Sequence, residues 1–94
     1  MLVDLQRFVE FAQGGDWKTR EGLTFEPVTI NTDYIGWFKR WDVYGHDFCE
    51  THFTDRGGTF ILDLSYEQMR RLLGMPDRPP GIYPSLASAE GAMV

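Results

Sequence analysis

Residues 28–43, VTINTDYIGWFKRWDV, hold the densest run of strand-forming residues in the chain and two of its three tryptophans. Such β-branched and aromatic residues favour extended strands. Asn31, Thr32 and Asp33 interrupt the run, and their side chains can hydrogen-bond their own backbone in place of a neighbouring strand. The pattern predicts two strands joined by a tight corner or a bulge, with the rest of the chain pairing with them or covering them.

Strict alternation divides the segment after the corner into two faces, because successive side chains of a strand point in opposite directions. One row is largely apolar and is the predicted core face, with the Lys39 stem lying along it: Ile35, Trp37, Trp41 and Val43. The other row mixes rings with charges, as expected of a face that meets a partner: Tyr34, Phe38, Arg40, Asp42 and Tyr44.

Length and composition indicate one folded domain, which we place at residues 1–74. The chain has 94 residues, of which 43% are hydrophobic, so it can bury a single core and is not wholly disordered. The opening MLVDLQRFVEF carries charges within its apolar pattern, which argues against a signal peptide or a membrane span. The single cysteine, Cys49, suits a reducing compartment, and the predicted location is the cytoplasm.

The N-terminal third predicts a first strand, a loop and an edge strand. Residues 1–12 fit either a strand or an amphipathic helix that ends at the following glycines, and we prefer the strand. Residues 13–22, QGGDWKTREG, read as a hairpin loop whose Trp17 either folds back onto the core or faces a partner. Residues 25–30 read as a strand that Pro27 confines to a sheet edge or to the strand start.

The segment 48–64 predicts a β-hairpin after a turn at Gly45. Its strands flank the loop DRGG, and paired glycines supply the positive φ angles that hairpin turns need. Pairing Phe53 with Phe60 gives one apolar face and sets Glu50 opposite Asp63 on the other.

Residues 65–74, SYEQMRRLLG, carry a full set of helix signals. Ser65 can cap the N-terminus, Gln68 completes a capping box, and Gly74 ends the helix. The predicted buried stripe is Tyr66, Met69, Leu72 and Leu73.

Residues 75–94 contain four of the five prolines and predict a flexible tail, in which Ile82, Tyr83 and Leu86 could still dock. The predicted fold class is therefore α+β. It has an antiparallel sheet of about five strands that could curl toward a barrel, one C-terminal helix and the tail.

The order of these features resembles the small FlbD-like bacterial proteins and viral proteins of similar layout. The resemblance covers residues 1–74 and lies in the corner EPVTINTDYI, the glycine hairpin TDRGGTFILDL and the helix SYEQM. The corner positions that carry it are Val28, Ile30, Asn31, Asp33, Tyr34 and Ile35. The resemblance implies a small β-meander with a C-terminal helix, without known catalytic residues and without an activity to transfer.

The sequence predicts neither an enzyme nor a metal or cofactor site. His46, Cys49 and His52 are spaced H-x2-C-x2-H, but on a strand Cys49 points away from the two histidines, and structural zinc usually needs four converging ligands. Burial of Cys49 would also remove the exposed thiolate that a nucleophile requires. Glu50 and Asp63 are better explained as solvated charges than as an acid and base pair. Gly57 and Gly58 are not followed by the helix of a phosphate-binding loop.

The composition of the outer row predicts a protein-binding module. Tyrosine and arginine are common in interface hot spots, and a net charge of −5 disfavours nucleic acid and favours a basic or nucleic-acid-handling protein partner. The predicted binding residues are Tyr34, Phe38, Arg40, Asp42, Tyr44, Asp47 and Glu50. By analogy of size and charge we expect an adaptor or a small inhibitor, including the viral anti-defence type. The sequence is also compatible with a homodimer.

The alternative is a single-stranded nucleic-acid-binding β-domain. It would use the interleaved rings and cations of the central strand, which resemble base-stacking surfaces: Trp37, Phe38, Lys39, Arg40 and Trp41.

Overall fold

A computed structural model describes residues 1–76. One antiparallel sheet has the strand order β2-β1-β5-β4-β3, and a single helix follows it. The elements are β1 (Leu2–Phe11), β2 (Leu23–Asn31), β3 (Ile35–Val43), β4 (His46–Phe53), β5 (Thr59–Leu62) and α1 (Tyr66–Leu72). The predicted α+β class with five strands and one helix is confirmed, and the sheet is not closed into a barrel. Except for residues 75 and 76, the predicted tail lies outside the described residues.

The preferred prediction for residues 1–12, a strand rather than a helix, is confirmed by β1. β1 pairs with β2 along almost its whole length, with an irregularity between Phe8 and Glu10. Pro27 lies opposite Gln6 on β2, which is an edge strand. An edge tolerates proline because the missing N–H can lie on the side without a neighbouring strand.

The prediction that the rest of the chain pairs with the stretch 28–43 or covers it is only partly correct, because β5 pairs with β1 and β4 instead. The two strands of this stretch, β2 and β3, form opposite edges, and the short β5 lies in the middle. The corner itself is confirmed as a single 3₁₀ turn, Thr32–Tyr34, in which the Asn31 Oδ1 atom accepts a hydrogen bond from the Asp33 amide at 3.0 Å. The corner redirects the chain, so that both strands pair with other segments rather than with each other.

A bulge at Gly36 overturns the predicted assignment of faces. Ile35 pairs with Phe53, whereas Trp37 already pairs with His52, so Gly36 is an extra residue on β3. A Cβ atom on this glycine would lie only 2.8 Å from the Thr54 Cγ2 atom.

The extra residue interrupts the alternation on which the face assignment depended. Trp37 is therefore 45% exposed rather than part of the core. Ile35 and Phe38 instead pack against the core cluster, and the outward placement of Phe38 is wrong. Trp41 and Val43 are half-buried.

The hairpin of β4 and β5 forms, but its predicted register is wrong by two residues. Thr51 lies opposite Phe60, and Glu50 lies opposite Ile61 rather than Asp63. A shift of two preserves the face of every side chain because the side-chain period of a strand is two. The predicted apolar face therefore survives with different pairs.

The core lies between the sheet and α1. Its buried members are Ile30, Cys49, Phe53, Leu62 and Met69. The capping box of Ser65 and Gln68 is present as predicted. Met69 is fully buried, and the Tyr66 ring packs 5.4 Å from the Phe38 ring, so α1 covers the Phe38 side of β3.

Aromatic residues form a second packed layer on the Trp41 side of β3. Phe48 is buried there and contacts Phe8, Phe25 and Trp41. The loop after β1 folds back toward this layer, and the Arg20 guanidinium lies 4.7 Å from the Phe25 ring centroid. These contacts bring the loop up to the turn between β3 and β4.

Candidate functional site

Three aromatic rings meet where the loop after β1 reaches the turn between β3 and β4. The Phe11 ring centroid lies 4.9 Å from that of Trp17 and 5.4 Å from that of Tyr44, and the last two are 5.6 Å apart. Tyr44 is 50% exposed and Trp17 is 38% exposed. We call these three residues the end cluster. It presents two large rings to solvent while a third supports them from below.

Hydrogen bonds restrain the loop that carries Trp17. The indole Nε1–H donates to the Ala12 carbonyl oxygen at 2.8 Å, and the Trp17 carbonyl oxygen lies 2.8 Å from the His46 Nε2 atom. The Ala12 amide donates to the Gly22 carbonyl oxygen at 2.8 Å and closes the base of the loop. Trp17 thus folds back onto the sheet, and part of its ring stays in contact with solvent.

Tyr44 has a strained backbone conformation. Its φ is 47°, and that of Gly45 is 83°, so the two residues between β3 and β4 form a type I′ turn. The first central position of this turn usually holds Asn, Asp or Gly, and a larger side chain there costs about 1 kcal/mol. Such strain is concentrated at functional sites. The contacts of the Tyr44 ring with the end cluster offset this cost.

A charged group lies next to the turn, on the helix side of the sheet. Arg40 donates to an Asp47 carboxylate oxygen at 3.0 Å and also to Glu67. Asp42 lies directly opposite Asp47 in the ladder and makes no ion pair within residues 1–76. Burial raises the pKa of Asp47 and Arg40 opposes this effect, while Asp42 and Glu67 raise the pKa further. The group carries more negative than positive charge.

The predicted binding residues are only partly brought together. Tyr44, Arg40, Asp42 and Asp47 lie at or near the turn. Tyr34 is exposed but precedes β3, so it lies about 30 Å from Tyr44, the length of a nine-residue strand.

Phe38 lies beneath α1, as described above. Glu50 lies on the other side of the sheet, with a carboxylate oxygen 3.8 Å from the Lys39 Nζ atom. The predicted binding residues do not include Phe11, and the sequence places Trp17 either on the core or at an interface. No sequence spacing relates them to Tyr44, because the contact depends on how two hairpins pack together.

The histidines and the cysteine occupy separate environments. His46 stacks on Phe48, and His52 stacks on Trp37. Cys49 is fully buried, and burial raises the pKa of its thiol, although the Thr51 hydroxyl opposes this effect. In the part of the chain that the structure describes, no three His, Cys, Asp or Glu side chains are arranged to hold a metal ion.

The fold and the end cluster define a small α+β domain with an exposed aromatic surface. No family model, curated protein or solved structure matches the chain. The resemblance to FlbD-like proteins therefore stays a prediction. Among residues 1–76, no helix has the length and apolar character needed to cross a membrane.

Proposed function

We propose that this protein is a non-catalytic protein-binding module, an adaptor or small inhibitor that docks its end cluster on a larger protein partner. The observation that carries the proposal is the exposure of Trp17 and Tyr44 on a supported surface. Exposed aromatic rings of this kind provide interface anchors, and tyrosine and tryptophan dominate interface hot spots.

The bonds and contacts that hold Trp17 and Tyr44 in place support this role. Binding costs free energy when loops and side chains must be ordered. The loop of Trp17 is already held by its bonds to Ala12 and His46, and the Tyr44 ring is held against Phe11. The end cluster can therefore bind with little ordering cost.

The neighbouring charges favour a basic partner. Asp42 and Asp47 face each other across the ladder beside the turn, and like charges in this arrangement repel. A cation on the partner would relieve the repulsion and would speed association. Nucleic-acid-handling proteins of the cytoplasm present such basic surfaces, because they bind phosphates.

Affinity capture with paired variants tests the proposal. Tyr44→Asn creates an Asn-Gly turn, the favoured type I′ pair, so the fold is retained while the ring is removed. Tyr34→Asn is the matched control, because Tyr34 is exposed to a similar extent, 45% against 50%. We expect that the wild type and Tyr34→Asn capture the same partner protein and that Tyr44→Asn does not capture it. Equal capture by both variants would exclude the end cluster as the binding surface.

The alternative, binding of single-stranded nucleic acid, has one observation in its favour. The exposed Trp37 ring stacks on His52, and the Lys39 amine lies 5.9 Å from the Trp37 ring centroid. Lys39 also approaches Glu50, which weakens its attraction for phosphate. This alternative requires binding of an unstructured oligonucleotide at about 50 mM salt, with loss of binding in Trp37→Ala. No binding at that salt concentration would end it.

A further inference from the structure

The outer edge of β3 is an unpaired strand edge. Within the described residues, β3 pairs with β4 alone. It has nine residues and no proline, and its one irregularity lies at the start, at Gly36. A long regular edge of this kind can pair with another strand.

The turn identifies which backbone groups are free on this edge. In a two-residue type I′ hairpin, the flanking residues, here Val43 and His46, form a hydrogen-bonded pair. Because hydrogen-bonded pairs alternate along a ladder, the N–H and C=O groups of Phe38, Arg40 and Asp42 point away from β4.

Two other bonds agree with this alternation. The Thr54 amide donates toward the β3 side, to the Tyr34 carbonyl oxygen at 2.7 Å. The Phe53 amide donates toward the β5 side, to the Gly58 carbonyl oxygen at 2.9 Å.

Charge selects one register for pairing two copies of β3. In a twofold antiparallel dimer the register is set by the residue on the axis, which lies opposite itself. An axis at Lys39, Arg40 or Asp42 sets like charges opposite each other, which is unfavourable. An axis at Trp41 sets each Arg40 opposite Asp42 of the second copy, twice per dimer.

We propose that the chain forms a homodimer by antiparallel pairing of β3 with β3 of a second copy, with Trp41 on the twofold axis. The free backbone groups of Arg40 and Asp42 bond to those of the second copy. Asp42, which faces only Asp47 in its own ladder, gains a cation. Arg40 can take this contact beside Asp47 and Glu67, because a guanidinium has five donors.

The dimer goes beyond the proposed function and does not require the end cluster. It does give Asp42 a cation from the second copy, where the proposed function gives Asp42 and Asp47 a cation from a basic partner.

The ion pairs of the dimer are made by Arg40 and Asp42, whereas Trp17 and Tyr44 lie outside β3. The same register places Tyr44 at the end of the contact, opposite Phe38 of the second copy. An interface made mainly of one strand pair is small, so the dimer is weak and forms reversibly with concentration. Two end clusters per dimer would also let the module bind a repeated target bivalently.

A charge-swap experiment tests the dimer by sedimentation over a concentration series. Asp42→Arg and Arg40→Asp each turn two attractive pairs into repulsive ones. Each should therefore raise the dissociation constant of the dimer at least about tenfold. Mixing the two variants restores opposite charges at both positions and should give a heterodimer. Asp55→Arg, in the loop after β4, makes the same charge change away from the edge and should dimerise like the wild type.

Three results would overturn the dimer. They are a wild type that stays monomeric at every concentration, an Asp42→Arg variant as dimeric as Asp55→Arg, and a mixture of folded variants without heterodimer. Circular dichroism establishes folding. If Arg40→Asp does not fold, the comparison of Asp42→Arg with Asp55→Arg is sufficient by itself to support or overturn the dimer. The dimer is measured by sedimentation of the charge variants and partner binding by capture with Tyr44→Asn, so either proposal can fail while the other stands.

Discussion

The Trp37 indole lies nearly parallel to the His52 imidazole across β3 and β4, with ring centroids 5.3 Å apart and planes inclined by 9°. This pair lies on the solvent side of the ladder, whereas Phe38, the next residue along β3, packs beneath Tyr66. Adjacent aromatic residues of one strand therefore have different roles, and their removal should have different costs.

Substitution of these two residues should separate the faces of β3. Trp37→Ala removes an exposed stacked ring and should reduce the free energy of unfolding by about 1 kcal/mol. Phe38→Ala opens a cavity beneath α1 and should cost about 3 kcal/mol. Urea unfolding of both variants gives the comparison, and an equal or larger cost for Trp37→Ala would contradict the observed faces.

Alanine at Gly36 should destabilise the protein, and a second substitution, Thr54→Ser, should restore most of the lost stability. Gly36→Ala sets a methyl group against the Thr54 Cγ2 atom and should cost about 1–3 kcal/mol. Thr54→Ser removes this methyl and keeps the hydroxyl that donates to the Tyr34 carbonyl oxygen at 3.1 Å. The double variant should recover most of the loss in thermal unfolding.

Gly58→Ala is the control for this pair, since no atom lies within 4 Å of its Cβ position. A cost for Gly36→Ala that Thr54→Ser leaves unchanged would contradict the close contact with the Thr54 methyl group as its cause.

The pKa of Asp47 should fall when Asp42 loses its charge. A raised pKa in the folded state means that the native carboxyl binds its proton more tightly than the unfolded one. Stability should therefore fall as pH rises from the ordinary aspartate pKa to the raised value. Asp42→Asn removes one cause of the shift and should stabilise the protein at neutral pH by a few tenths of a kcal/mol, because both side chains are exposed.

Carboxyl titration by NMR measures the pKa of Asp47 directly. Asp55→Asn serves as the control and should leave it unchanged. An unchanged Asp47 pKa in Asp42→Asn would mean that burial and Glu67, rather than Asp42, cause the shift.

The Cys49 thiol should be protected in the native state. It is buried and its pKa is raised by burial, and the thiolate is the reactive form. Alkylation in native buffer should therefore be slow and should accelerate in urea together with the loss of tertiary structure. Rapid stoichiometric labelling without denaturant would contradict the burial of Cys49.

The features that local chemistry determines could be predicted from the sequence. The start of α1 follows from Ser65 and Gln68, and the turn follows from Gly45. The register of β4 and β5 could not, because alternation has a period of two and leaves a slip of two residues undetermined. The Gly36 bulge also could not be predicted, since its glycine is needed for contact with Thr54, which is distant in sequence.

The candidate site likewise has one part that could be predicted from the sequence and one part that could not. Arg40, Asp42 and Asp47 could be predicted as neighbours because they lie on adjacent strands joined by a short turn. The end cluster joins Phe11 and Trp17 to Tyr44, and its formation depends on the packing of two hairpins. Sequence alone therefore predicts that these charged residues are neighbours, but it does not predict the surface that the rings form.

The connection between β1 and β5 has a consequence for how the chain folds. The two strands meet at Arg7 opposite Leu62, with one further bond from the Asp63 amide to the Gln6 carbonyl oxygen at 2.8 Å. Each hairpin on either side forms from residues close in sequence, but this seam requires closure of a long loop. Such non-local closure slows folding, so we expect the rate-limiting step of folding to be the joining of two preformed halves.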